Sequence, residues 1–314
     1  MSKFVVFVLF FLSTKAFGQD TAVLKQRSPA AINSESRKWL VGAATIGGYG
    51  GSFLFLSEAW YKNYPRSSFH TFNDNGEWLQ MDKTGHAWTA YQTSRLTTGL
   101  WRWAGVENKK ALLYGTGSSL LFMLSIEYLD GHSAEWGWSW GDAGADAFGA
   151  LLFAGQELSW NGQRVSLKFS SHSKNYNEAD LQKRADDLFG SSFQSRLLKD
   201  YNAQSYWLSA NLKSFFRHAE LPDWLNVSFG YGADGMFGGY ENVAVNKKDG
   251  TISFDRRDVK RYRQFYLAPD LDLTKIKTKN KLLKSVLSAF NVLKFPAPAL
   301  EFSQGKFRVK AIVF

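Results

Sequence analysis

Arg164-Val165-Ser166-Leu167-Lys168-Phe169-Ser170 alternates without a break, with Val165, Leu167 and Phe169 on one face. Strict period two is the signal of a strand with one dry face. Upstream the pattern differs. Four long apolar segments cover 39–60, 83–103, 110–128 and 142–158, parted by Tyr64-Pro65, Asn73-Asp74-Asn75-Gly76, Gly105-Val106-Glu107-Asn108 and the aromatic-glycine stretch 135–141. The first contains Gly47-Gly48-Tyr49-Gly50-Gly51, which weakens an isolated helix but lets packed helices approach closely. Downstream, further strands are expected over 206–212, 224–232, 261–273 and 306–314. A polar helix over 178–189 and an amphipathic one over 282–293 interrupt them, the latter ended by Pro296-Ala297-Pro298. The expected fold class is α+β: an N-terminal bundle of about four apolar helices, then an antiparallel β-rich region or partial barrel. The division falls near Trp160-Asn161-Gly162, giving a helical domain over 39–160 and a strand-rich domain over 161–314.

The start of the chain reads as a secretory leader. Lys3 precedes an apolar run from Phe4 to Leu12, and Ala16 and Gly18 supply small residues before a cut at Gln19. Residues 1–18 are thus expected to be removed, and 19–38 form a polar lead-in. The run is too short to span a bilayer. There is no cysteine, which excludes disulfides, thiol catalysis and thioether lipidation within this sequence. Together these point to export, to the periplasm or outer membrane of a Gram-negative bacterium. The net charge is +10, and nucleic acid is a poor partner for an exported chain; membrane lipid or lipopolysaccharide fits better, with other envelope proteins as further partners. The 12 Trp residues suit a chain whose rings sit between dry and wet surroundings.

Chemistry concentrates between Asp82 and Gly149. Asp82 and His86 are four apart, so they share a helical face, and a carboxylate beside an imidazole raises its basicity. Glu127 and Asp130 end the third segment; Asp142 and Asp146 begin the fourth. Antiparallel helices would gather Asp82, Lys83, His86, Glu127, Asp130, Asp142 and Asp146 at one end of the bundle, with Lys83 or Arg95 balancing charge. These seven are the candidate catalytic residues. His86, Glu127, Asp130 and Asp142 are the candidate metal ligands, since carboxylates with one imidazole suit a hard or borderline cation. No particular cofactor is indicated: di-iron Glu-x-x-His pairs, His-Glu-x-x-His, a phosphate loop and a nucleophile elbow are all missing. The plainer alternative is local: Asp142 or Ser139 as a helix cap, Asp130-Gly131 as a turn, and Lys83 and Arg95 as partners of buried carboxylates.

In order, Asp82-Lys83-x-Gly85-His86 with Tyr91 and Ser94-Arg95, then Glu127-x-x-Asp130-Gly131-x-Ser133, then Gly137-x-Ser139-x-Gly141-Asp142-x-x-Ala145 resemble the YfiM-like family. More loosely, they are similar to VanZ-like membrane proteins. The YfiM-like resemblance covers about 39–158 and implies a Gram-negative envelope protein without an established activity. Asp200-Tyr201-Asn202 before Tyr206-Trp207-Leu208-Ser209 looks like the longer members. The lack of cysteine departs from the lipoprotein members.

Two functions follow. The first is a non-catalytic envelope protein, associated with the outer membrane, in a structural or assembly role. An aromatic last residue, Phe314, suits an outer-membrane strand, but Ile312 and Phe314 share a face with Arg308 and Lys310, charges that lipid does not tolerate at mid-depth. The alternative is an envelope enzyme acting on a lipid or cell-wall component through the His86 and carboxylate cluster. A polytopic inner-membrane protein is disfavoured by the mean hydropathy of −0.28 and the strands.

Overall fold

The computed structural model describes residues 33–57, 61, 65–246 and 249–313. The leader, its cut site, residues 19–32 of the lead-in and Phe314 lie outside them. Helix α1 spans Ser34–Leu56, earlier than expected, because the Asn33 side chain accepts the Ser36 amide and caps it. Helix α2 spans Met81–Trp103, α3 spans Asn108–Gly131 and α4 spans Trp140–Trp160. Gly105, at φ 82°, turns the chain between α2 and α3. The last three pack closely; α1 lies on them through Tyr49, whose ring stacks on Phe122 at 4.5 Å. α2 is not apolar as expected: it buries Thr89, Gln92, Thr93, Ser94, Thr97 and Thr98. Thr93 and Thr97 return their hydroxyls to the carbonyls of Thr89 and Thr93, which lets a central helix carry hydroxyls without water.

Two glycines set the helix crossings. A Cβ on Gly115 would meet the Thr98 backbone nitrogen at 2.4 Å, and one on Gly149 would meet the Ala87 carbonyl oxygen at 2.0 Å. Both contacts are backbone, so no side chain can give way. Gly149→Val should therefore lower stability by about 1–3 kcal/mol, read as a shifted denaturation midpoint. Gly144→Ala, on the same helix with nothing within 4 Å of its Cβ, should change it little.

Strand β1 covers Val165–Ser171, β2 Gln204–Asn211, β3 Leu225–Asp234, β4 Val243–Val245, β5 Ile252–Asp255, β6 Tyr262–Leu271, β7 Ala297–Ser303 and β8 Lys306–Val313. Between them stand α5 (Ala179–Phe189), α6 (Phe193–Lys199), α7 (Leu212–Phe215) and α8 (Lys281–Phe290). Six strands form an antiparallel sheet in the order β1-β2-β3-β6-β7-β8, and β4 pairs with β5. The protein is therefore helix-rich first and strand-rich afterwards. The β1 edge is met by the segment before β7: the Phe169 amide donates to Val292 and the Lys294 amide to the Phe169 carbonyl.

The two sheet faces are of opposite character. One continuous row runs Leu167, Leu208, Phe229, Leu267, Leu300, Val309 across all six strands. The next row runs Phe169, Tyr206, Tyr231, Phe265, Phe302, Phe307. Trp88 of α2 covers Phe169 and Tyr206, while Leu208, Phe229, Leu267, Leu300 and Val309 are exposed. The other face is buried and polar. Lys168, Ser209, Asn226, Asp270 and Glu301 lie there beneath Trp207 and Tyr266. Gly230 is needed there because a Cβ would strike the Trp207 ring at 2.5 Å.

The expected face of β8 is corrected. Ala299 pairs with Lys310 but Ala297 with Val313, so β8 carries one extra residue between them. Arg308 and Lys310 turn to the buried face, with Lys310 Nζ 3.3 Å from Glu301 Oε2, whereas Ile312 is exposed with Phe307 and Val309. The charged residues and Ile312 do not share a face. Strand β7 departs from the sequence reading: Pro296-Ala297-Pro298 reads as a helix stop, yet pairing already begins at Ala297, opposite Val313.

Candidate functional site

α2 and α4 begin, and α3 ends, at the same end of the helical part. Ser139 caps α4 by accepting the Asp142 amide at 3.0 Å. Asp142 is thereby released from capping and turns inward. Before α2, Trp78, Leu79 and Gln80 all hold positive φ (48°, 50°, 64°), a costly conformation for three residues in a row. It is held by the Trp78 amide on the Gly239 carbonyl at 2.8 Å, by Gln80 Nε2 on the Asn75 carbonyl at 2.6 Å, and by Tyr231 donating to Leu79. The strained turn aims the first turn of α2 at the other two helices.

His86 stands at the centre and is 2% exposed. Its Nδ1 lies 3.0 Å from Asp146 Oδ1. Its Nε2 faces three carboxylates: Glu127 Oε1 at 3.7 Å, Asp142 Oδ1 at 3.8 Å and Asp82 Oδ2 at 3.9 Å. Lys83 Nζ contacts Asp74 Oδ2 at 2.7 Å and Asp142 Oδ1 at 3.0 Å. Ser139 donates its hydroxyl to Asp74 at 2.6 Å and its amide to Glu127 at 3.2 Å. From the strand-rich half, Tyr201 donates to Asp82 Oδ1 at 2.5 Å. Burial, and then the Asp82 charge, push the Tyr201 hydroxyl well above its ordinary pKa, so it remains a donor. For Asp74 burial acts upward, but hydrogen bonds with Asp142, Lys83 and Ser139 prevail and hold it below the usual carboxylate range.

Of the seven sequence candidates, the structure brings Asp82, Lys83, His86, Glu127, Asp142 and Asp146 together. Asp130 is turned aside to Tyr61, whose hydroxyl donates to it at 2.6 Å. Asp146, not Asp130, stands beside the imidazole. Arg95 is elsewhere: it reaches Ser288 of α8 at 3.2 Å. Asp74, Ser139 and Tyr201 complete the site, although the sequence marks them only as a turn residue, a cap and part of the Asp200-Tyr201-Asn202 motif. The ligand atoms of Asp82, His86 and Asp142, and separately of His86, Glu127 and Asp146, lie within 4.8 Å of one another.

Residues 70–154 are similar to a family described as Predicted periplasmic lipoprotein (DUF2279). The matched stretch holds every site residue named above except Tyr201 and Tyr61. It accords with an exported protein of the Gram-negative envelope, in the periplasm or outer membrane. This sequence contains no cysteine. No curated protein and no solved structure matches the chain.

Proposed function

We propose that this is a membrane-embedded protein of the outer envelope, YfiM-like in its helical half, with a structural or assembly role and lipid as its principal partner. The observation that carries the reading is the inversion of polarity. Apolar side chains point outward from helices and sheet alike, while Lys168, Asp270, Lys294 and Glu301 are buried. Leu113 and Leu121 of α3 and Leu151 and Leu158 of α4 are each more than three-fifths exposed. Water penalises such a surface; lipid does not. The helices are 21 to 24 residues long, or roughly 32–36 Å, comparable with a hydrocarbon core. Two of them, Ser34–Leu56 and Asn108–Gly131, are apolar and long enough to cross it by themselves. Trp39 and Trp160 stand exposed near one end of the helices and Trp140 near the other, as interfacial rings do.

The test is extraction and quenching. The protein should stay with the outer-membrane fraction through alkaline carbonate, and brominated lipid should quench its tryptophan fluorescence. Release into the carbonate supernatant together with unquenched fluorescence would refute the reading.

The alternative, an envelope enzyme, draws support from the strained turn Trp78–Gln80 beside the His86 cluster. His86→Ala should then abolish the cellular phenotype of the gene while its melting stays near that of the parent. A large loss of melting temperature would instead mark the cluster as structural.

A further inference from the structure

Building on the membrane-embedded reading above, we propose that a basic cleft at one end of the sheet binds the phosphate-bearing headgroup of a lipid. The cleft lies between α7, the approach to β3 and the start of α8. Here the chain runs Lys275-Ile276-Lys277-Thr278-Lys279-Asn280-Lys281-Leu282-Leu283-Lys284, five lysines in ten residues. The cleft has a volume of about 500 Å³, and its walls carry Lys213, Lys275, Lys277 and Lys284. Asp223 is the only carboxylate among the described lining residues, and Lys277 pairs with it at 3.0 Å. That hydrogen bond first, and then the charges of Lys277, Lys213 and Lys275, hold Asp223 below the usual carboxylate range. The ammonium groups thus act on one place. Four of them against one carboxylate leave an excess of three positive charges. A phosphate monoester, with a charge of about −1.5 to −2 at pH 7, is the matching anion.

The walls are fixed by buried polar groups. Asn211 accepts the Ser214 amide at 3.0 Å and donates to the Asp223 carbonyl at 2.8 Å. Asp272 accepts the Thr274 amide at 3.0 Å, and the Leu273 amide donates to Asn291 at 2.8 Å, which ties the lysine run to the far end of α8. Lys213 gives one of its three N–H donors to the Ala219 carbonyl at 2.6 Å. The surroundings select a lipid as the occupant. On α8, Leu282, Val286 and Phe290 stand four apart and exposed, while Ser285 is buried and Ser288 meets Arg95. A helix with an outward apolar stripe and flanking lysines lies in a membrane interface. Trp160, Phe215, Phe216 and Trp224 are exposed at the same end of the sheet, Trp160 and Phe215 with ring centroids 6.1 Å apart. Such rings collect at headgroup level. The exposed row Leu208, Phe229 and Leu267 lies three residues from Asn211, Asn226 and Asp270, roughly 10 Å along the strands. Half a hydrocarbon core is about 15 Å, so a cleft beyond those strand ends meets headgroups when the row lies among acyl chains. A free phosphate ion would account for the lysines but not for the apolar collar.

The experiment titrates the full chain, in neutral detergent, with brominated phosphatidic acid or brominated phosphatidylcholine and reads tryptophan quenching. Phosphatidylcholine reports seating of the chain among lipid; the excess affinity for phosphatidic acid reports the cleft. Both lipids should quench, phosphatidic acid at about tenfold lower concentration. Lys275→Gln with Lys284→Gln should bring the two curves within about twofold of each other and leave the phosphatidylcholine curve in place. Lys109→Gln with Lys110→Gln removes the same charge from exposed lysines at the start of α3 and should keep the excess. All four positions are exposed, so both double variants should melt as the parent does. Quenching by phosphatidylcholine with no excess for phosphatidic acid in the parent overturns the cleft and leaves the membrane reading standing. Quenching by neither lipid overturns both. An excess that survives in the cleft variant, or falls equally in the control, overturns the cleft. So does displacement of phosphatidic acid by millimolar inorganic phosphate, which would mark a site for the free anion.

Discussion

Asp270→Ala should cost about 3–5 kcal/mol, the price of stranding buried charge. Asp270 lies on the polar face of the sheet with Lys168 Nζ 3.0 Å from one oxygen and Lys294 Nζ 3.5 Å from the other. All three side chains are fully buried. Ser209 adds a hydroxyl donor at 2.6 Å, and Asn226 continues the network by donating to Ser209 at 2.9 Å. The lysines hold carbonyls as well: Lys168 that of Leu271, and Lys294 those of Pro269 and Phe295. Removing the one carboxylate leaves the buried Lys168 and Lys294 amines without their shared partner. Chemical denaturation followed by tryptophan fluorescence reads the loss, since Lys294 of the network lies over the Trp207 ring, whose N–H donates to Ser170 on the same face. Asp270→Leu combined with Lys168→Met should recover part of it, because the pair is replaced by packing and one charge fewer is stranded. A cost below about 1 kcal/mol for Asp270→Ala would mean that water reaches this face.

The alternation that defines β1, β2, β3, β6 and β8 is plain in the sequence, because period two is a property of backbone geometry alone. Which face goes inward is another matter. The rule that the apolar face is the dry interior assumes water on the other side. At β1 the apolar face is the dry one, with Phe169 buried against Trp88 and Leu167 packed on the same core. Further along the same face Phe229 and Val309 are exposed, while Lys168 and Asp270 are buried on the opposite face. The sequence of β8 already held the clue, in charges that could not lie in lipid, but the extra residue between Lys310 and Val313 leaves no local signature. β7 was invisible for a related reason: its buried positions are Ala297, Ala299, Glu301 and Ser303, and Pro298 sits at the register shift between Ala297 and Ala299, where the ladder is interrupted.

At the site, the pairs Asp82/His86 and Asp142/Asp146 were legible because four-residue spacing fixes a shared helical face. Glu127 and Asp130 are three apart and diverge, one to His86 and one to Tyr61. Spacing allows either as the inward residue; packing chooses. Asp74 and Tyr201 come from a loop and from beyond the helical half, and no periodicity ties them to His86. That Tyr201 reaches Asp82, and that Trp78, Trp88, Phe169, Tyr201 and Tyr206 share one core, joins the two halves around the site.

Phe229→Lys separates a lipid-facing sheet from a water-facing one. Phe229 is half exposed, at the middle of β3, between Leu208 and Leu267 in the apolar row. In water such a position is forgiving: an exposed lysine changes stability by about 0.5 kcal/mol or less. In a bilayer the ammonium must be desolvated or snorkel along the strand, and the cost near mid-depth is roughly 2–4 kcal/mol. The same chain should therefore show two different penalties, large when folded in lipid vesicles and smaller in a detergent micelle whose headgroups can reach the charge. Lys306→Phe offers the opposite check. It is exposed at the start of β8 and pairs with Ser303 on the face of Arg308 and Lys310, off the apolar row, so it should be close to neutral in both media. Equal, small effects of Phe229→Lys in vesicles and micelles would place this face in water, and the outward leucines would then need a protein partner instead of lipid.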